Sequence, residues 1–215
     1  MEENKYNIGY FDEEEVWKLT ARNSLKDDFN IYLIDVPIDK ENIWPFIVDK
    51  ELDAIIVDFR LFESGQIAYD GNVVVSEIHK HNEHFPIFIM TSYEEDAIEN
   101  CEDVLIVRGK ETLTDPERLK EFKMILLAAI NSYHRREDEC KDIIMRLQQK
   151  LANNETLSLQ EEEDRFKAER YLSELNKDTR LGTNMLTSSY SAQLKSILDA
   201  VSYTHLRAHE TVLDL

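Results

Sequence analysis

Glycine and proline are scarce, at 5 and 4 of 215 residues. The chain therefore has no Gly-rich or Pro-rich linker and no low-complexity tract. Cysteine is scarcer still: Cys101 and Cys140 are the only two. Neither has a metal-ligand partner at short spacing, which excludes a disulfide framework and a cysteine zinc site and fits reduced thiols in a cytosolic protein. No apolar run approaches the ~18 residues needed to span a bilayer. The opening "MEENKYNIGY" lacks the basic and apolar regions of a signal peptide, so a cytoplasmic location is expected. No internal repeat is found. Positive charge is in deficit, with 25 Lys and Arg against 44 Asp and Glu, a net −19. Such a surface repels phosphate backbones and anionic lipid, so neither nucleic acid nor a membrane is expected as a partner of this stretch. It suits a protein that holds divalent cations or meets basic partners.

What is present is an alternation. "YNIGYF" (6–11), "IYLIDV" (31–36), "LDAIIVDF" (52–59), "PIFIMTS" (86–92) and "DVLIVR" (103–108) are short apolar runs. The later ones are continuous, as in strands buried on both faces. Helical patterns separate them. Residues 13–29 predict an amphipathic helix with Val16, Trp17, Leu19 and Leu25 inward. Residues 41–50 predict a short helix that Pro45 kinks or shortens. A helix is expected over 71–82 despite three valines, and a short acidic one over 94–100. Asp115-Pro116 marks the start of another, with a capping residue before proline at the first helical position. Strands joined by single helices run parallel with right-handed crossovers. The expected fold is α/β: a doubly wound five-stranded parallel sheet, (βα)5, followed by a helical extension.

In such sheets the site lies at the carboxyl ends of the strands. Asp12 and Glu13 follow the first strand, Asp58 ends the third, Thr91 and Ser92 end the fourth, and Arg108 and Lys110 follow the fifth. Three carboxylates held close raise one another's pKa, and a hard divalent cation such as Mg2+ relieves the repulsion. One carboxylate can then attack a phosphoryl group while a hydroxyl and a cation hold its oxygens. The expected chemistry is an aspartyl phosphate on Asp58.

These positions make residues 5–137 resemble a response-regulator receiver domain, the phosphoacceptor module of two-component signalling, with a flavodoxin-like fold. The resemblance implies that Asp12 and Glu13 hold Mg2+, joined by Asp58 and the backbone carbonyl of Arg60. It implies Asp58 as phosphoacceptor, Thr91 as the hydroxyl that turns toward the phosphoryl group, Lys110 as the paired cation, and Gly71 as the glycine closing the loop after the acceptor. It also implies a histidine kinase or phosphotransfer protein as partner, and a signalling module rather than an enzyme. The chain departs from the family pattern in several places. The loop from Asp58 to Gly71 is long and lacks its proline, and Glu111 rather than proline follows Lys110. Arg108 stands where an aromatic couples to the hydroxyl residue; Tyr93 is a candidate replacement, and Arg108 is the alternative to Lys110 as site cation. Ser92 replaces the commoner alanine. These departures keep a second reading open, a phosphorylation-independent pseudo-receiver that acts as an interaction scaffold. A Mg2+-dependent phosphatase fits poorly, because Arg60 stands where such enzymes carry a second aspartate.

Other features read as structure. Trp17, Trp44 and Phe46 are expected in the core, His79, His81 and His84 at a solvated helix end, and "QEEEDR" (160–165) on a solvated helix face. Beyond the receiver, Leu119, Phe122, Leu126, Ala129, Tyr133, Cys140, Ile143 and Leu147 follow a heptad seam broken at Arg136. Residues 138–200 are thus expected to form a helical or coiled-coil extension, the start of an output or dimerisation region, with a homodimer through 116–151. "ANNET" (152–156) breaks the helix, and "SLQE" (158–161) has the capping-box pattern that opens another, with Leu159, Phe166, Leu172 and Leu175 as its apolar residues. His205 and His209, four apart beside Glu210, look like the start of a metal site. Yet "VSYTHLRAHET" can be encoded, in frame, by a transposon-end sequencing adaptor, and an index and the next adaptor segment account for 211–215. Residues 201–215 are therefore expected to be translated adaptor, and the natural gene to continue past residue 200.

Overall fold

The computed structural model describes residues 5–34, 39–62, 68–93 and 107–175. Five strands are present: β1 Asn7–Phe11, β2 Asn30–Ile34, β3 Ala54–Asp58, β4 Ile87–Thr91 and β5 Val107–Gly109. They form one sheet of order β2-β1-β3-β4-β5 in which every pairing is parallel. β3 and β4 are buried at every position, as continuous apolar runs demand when helices cover both faces. The order reverses between β1 and β3, the switch point beside which such sheets place their sites. The expected α/β fold is the one observed. The expected 94–100 helix and the start of the fifth strand, 103–106, lie outside the described residues, as do 35–36, Cys101 and everything after 175.

The helices are α1 Glu15–Leu25, α2 Ile43–Asp49, α3 Gly71–His81, α4 Pro116–Ala152 and α5 Leu159–Leu175. One core joins α2 and α3 to the sheet through Ile43, Ile47, Val74 and Ile78 against Phe11, Ile55, Val57 and Ile89. The other joins α1 and α4 through Ala21, Leu25, Phe122, Leu126 and Ile130 against Ile8, Tyr10, Ile56 and Met90. The sheet is thus sealed on both sides, and polar chemistry is left to its ends.

Two helix expectations change. In α1, Val16 and Leu19 point outward, 71% and 46% exposed, while Ala21 and Leu25 are buried and Trp17 packs partly buried against the same core. The face that meets the sheet runs in steps of four through Trp17, Ala21 and Leu25, and the small Ala21 lets the helix approach. In α2, a 3-10 turn, Lys40–Asn42, precedes the α-helix. Pro45 is the third residue of α2, within its first turn, where proline is tolerated.

α4 opens as expected: Asp115 Oδ1 accepts hydrogen bonds from the N–H groups of Glu117 (2.9 Å) and Arg118 (3.0 Å), with Pro116 first in the helix. It continues unbroken for 37 residues. Its second half buries Cys140 and Leu147 on the length where α5 packs against it. α5 starts with a reciprocal capping box, in which Ser158 Oγ accepts from Glu161 N–H (3.3 Å) and Glu161 Oε2 accepts from Ser158 N–H (3.0 Å). Of its apolar residues Leu175 is buried, while Leu159 and Phe166 are 86% and 44% exposed; Ala168 is the other buried position. Arg136, which interrupts the seam, lies 5.6 Å from the ring of Tyr171 in α5. The histidines are more engaged than a solvated end implies. His81 stacks on Trp44, and His84 stacks on Tyr171 and lies 3.0 Å from Glu174.

Candidate functional site

The sheet register brings the carboxyl ends level. Phe11 lies opposite Val57, Asp58 opposite Met90, and Thr91 opposite Gly109. Asp12, one residue past β1, is fully buried, and Asp58, the last residue of β3, is 5% exposed. Lys110 begins the 3-10 turn after β5, is 2% exposed, and enters the same space. Its Nζ lies 2.9 Å from Asp12 Oδ2, 3.1 Å from Asp58 Oδ2 and 3.4 Å from Glu14 Oε1. The Trp17 ring lies 5.5 Å from the same ammonium. Among the described residues, the cation ion-paired with Asp12 and Asp58 is Lys110, and the Arg108 guanidinium donates to the Val107 carbonyl. Thr91 is fully buried, and its Oγ1 accepts from Tyr93 N–H (3.0 Å). Tyr93 carries the Arg60 guanidinium over its ring at 3.6 Å, which links the loops after β3 and β4.

Asp12, Glu13 and Asp58 each offer an oxygen, and these lie within 4.8 Å of one another, the one such acidic, His or Cys cluster among the described residues. Glu13 Oε2 is buried without a hydrogen-bond partner. An orphaned buried acceptor is costly unless something fills the place. The donor set is all oxygen and anionic, which fits a hard divalent cation such as Mg2+.

The electrostatics follow from burial. Asp58 is pushed up to about 7, first by desolvation and next by the charge of Asp12, with Lys110 opposing. Desolvation also raises Asp12 and Glu13. Burial works against the charge of Lys110, but Asp58 and Asp12 outweigh it and hold its value above the ordinary one. The cluster is short of positive charge.

Gly71 opens α3 against the backbone of Asp58. A Cβ there would collide with the Asp58 carbonyl oxygen and lie 3.1 Å from Phe59 Cα, both backbone atoms that cannot swing away. Gly71→Ala is expected to cost about 1–3 kcal/mol, as overpacking does, and urea unfolding checks it; an unchanged midpoint contradicts the close approach.

Tyr10 and Glu14 also belong to the site, and sequence reading passed over both. Tyr10 sits in an apolar strand and reads as core, although its period-2 spacing from Asp12 puts both on one face. Glu14 reads as one more acidic residue at a helix start.

No protein-family model matches the chain, and no curated protein matches it in sequence. Solved structures are similar to it at low identity. A response regulator from Thermotoga maritima is 22% identical, with 57% of this chain and 98% of that one covered and a TM-score of 0.41. The receiver domain of nitrogen regulatory protein C in its BeF3-activated form is 14% identical, with 61% and 98% covered and a TM-score of 0.42. The RcsB response regulator of Salmonella typhimurium is 12% identical, with 86% and 100% covered and a TM-score of 0.43.

Proposed function

We propose that this chain is a phosphoacceptor receiver module in which Asp58 takes a phosphoryl group from a histidine kinase or phosphotransfer protein and relays the signal to its C-terminal region. The observation that carries this reading is the Asp58 carboxylate, buried at the end of β3, 3.1 Å from Lys110 and clustered with two further carboxylates. In the transfer an Asp58 oxygen attacks phosphorus, the P–N bond to the donor imidazole breaks, and the imidazole leaves with the bonding pair and takes a proton. Lys110 is within reach to balance charge on the transferred oxygens. The Thr91 hydroxyl, tied now to the Tyr93 N–H, is the donor that would turn toward them. Asp12, Glu13, Asp58 and the Arg60 carbonyl would hold Mg2+, which when bound neutralises the carboxylates and the incoming phosphate. The protein accepts the group rather than turning substrate over, and its place is the cytoplasm. A second copy pairing through 116–151 is part of the reading, and it requires α5 to leave the Cys140–Leu147 side of α4.

Treatment with acetyl phosphate and Mg2+ tests the reading. The expected result is a single base-labile, acid-stable phosphoryl adduct by intact-mass spectrometry, absent from Asp58→Ala. No adduct on the wild-type chain, or one that survives Asp58→Ala, overturns it in favour of the phosphorylation-independent scaffold.

A further inference from the structure

Asp12 is unusually committed for a metal ligand. Its Oδ1 accepts the Glu14 N–H at 2.9 Å, and its Oδ2 accepts two donors, the Lys110 ammonium at 2.9 Å and the Tyr10 hydroxyl at 3.2 Å. A carboxylate has about four lone-pair sites. Oδ2 is therefore saturated, and the free lone pair is on Oδ1. Tyr10 is fully buried on β1 among Ile8, Ile56, Phe88 and Met90. A phenol in such surroundings is costly unless its O–H finds an acceptor, and Asp12 is the acceptor.

The two donors on Oδ2 differ in what they can do next. Lys110 is shared with Asp58 and must turn to the phosphoryl group in the reading above, on which this inference rests. Tyr10 is fixed in the strand and cannot follow. We propose that Tyr10 is a positioning residue for the cation site: its hydroxyl keeps Asp12 Oδ2 occupied and Oδ1 aimed at the cleft after Lys110 lets go. Removing the hydroxyl leaves Asp12 held only through Oδ1, by the Glu14 N–H, and weakens the cation site without touching a ligand atom.

The test is Mn2+ binding, followed by the electron paramagnetic resonance signal of the free ion, on the whole chain. Tyr10→Phe is expected to bind Mn2+ about tenfold more weakly, the size of one hydrogen bond to a charged group. Tyr10→Met, which also lacks the hydroxyl but fills the position differently, must weaken binding to a similar degree. Metal-free unfolding supplies the second readout, because the cost of Tyr10→Phe should vanish in an Asp12→Ala background. Unchanged Mn2+ affinity in both Tyr10 variants, or the same unfolding cost with and without Asp12, overturns the role of Tyr10 alone. A wild-type chain that binds no Mn2+ overturns the reading of the site, and this inference with it.

Discussion

Lys110→Met is expected to lower stability by about 3–5 kcal/mol at about pH 8, the cost of leaving buried charges without their partner. Methionine keeps the length of the stem and removes the ammonium. Lys110 is 2% exposed and ion-paired to both Asp12 and Asp58, so its loss leaves two buried carboxylates facing each other. Both are raised already with Lys110 in place, by desolvation first, and without it they rise further. The folded state then binds protons that the unfolded state does not, so stability falls as pH rises through the raised values. The defect should therefore shrink on acidification to about pH 5, and Mg2+ should relieve it in part by mass action. Urea unfolding at the two pH values, with and without Mg2+, reads all of this. A loss under about 1 kcal/mol at the higher pH, or one that does not change with pH, contradicts the buried pairing.

Asp58→Asn is expected to act in the opposite direction and stabilise the chain. Asp58 stands at about 7 against an ordinary 3.8. That difference is equivalent to about 4 kcal/mol at most, at 1.36 per unit. Asparagine leaves Lys110 with one buried carboxylate instead of two, so a gain of about 2 kcal/mol is the working expectation. The sign follows from the direction of the shift. For an acid whose folded value is raised, the destabilisation is absent below the unfolded value, grows between about 4 and 7, and is fully present above. The gain from Asp58→Asn should thus be large at about pH 8 and close to zero at about pH 4. Mg2+ should stabilise the wild type more than the variant, because the variant has lost one anionic ligand. Thermal unfolding across pH checks this; a variant less stable than wild type at the higher pH contradicts a strained, charge-poor site. A divalent cation among Asp12, Glu13 and Asp58 would relieve the same strain.

Much of this is legible in the sequence. β3 and β4 are continuous apolar runs, and a polar residue that ends such a run can only lie at a sheet end, which marks Asp58 and Thr91. Asp12 and Glu13 follow from β1 by the same logic. Proline after an acidic cap fixes the start of α4, and Ser158 with Glu161 fixes the start of α5. These signals are local, each carried by a few neighbouring residues whose backbone conformation and periodicity have one good solution.

What stayed hidden depends on residues distant in sequence. Arg108 and Lys110 are two apart and both cationic, and only the backbone decides between them. Gly109 closes β5 in an extended conformation, the 3-10 turn starts at Lys110, and its ammonium is carried over Asp12 and Asp58. Tyr10 reads as one more apolar strand residue until the Asp12 carboxylate is found beside its hydroxyl. Val16 and Leu19 are as apolar as Leu25, and which of them is inward is set by where α1 lies on the sheet. The heptad seam of α4 states that Cys140 and Leu147 need cover but not what covers them; α5 of the same chain packs there. By itself the sequence determined the order of elements and the residue types at the strand ends, because strand alternation and capping act over a few residues. The tertiary structure decided which cation, which hydroxyl and which helix meet the acidic cluster and the seam, because those contacts join segments up to a hundred residues apart and depend on how helices seat against a twisted sheet.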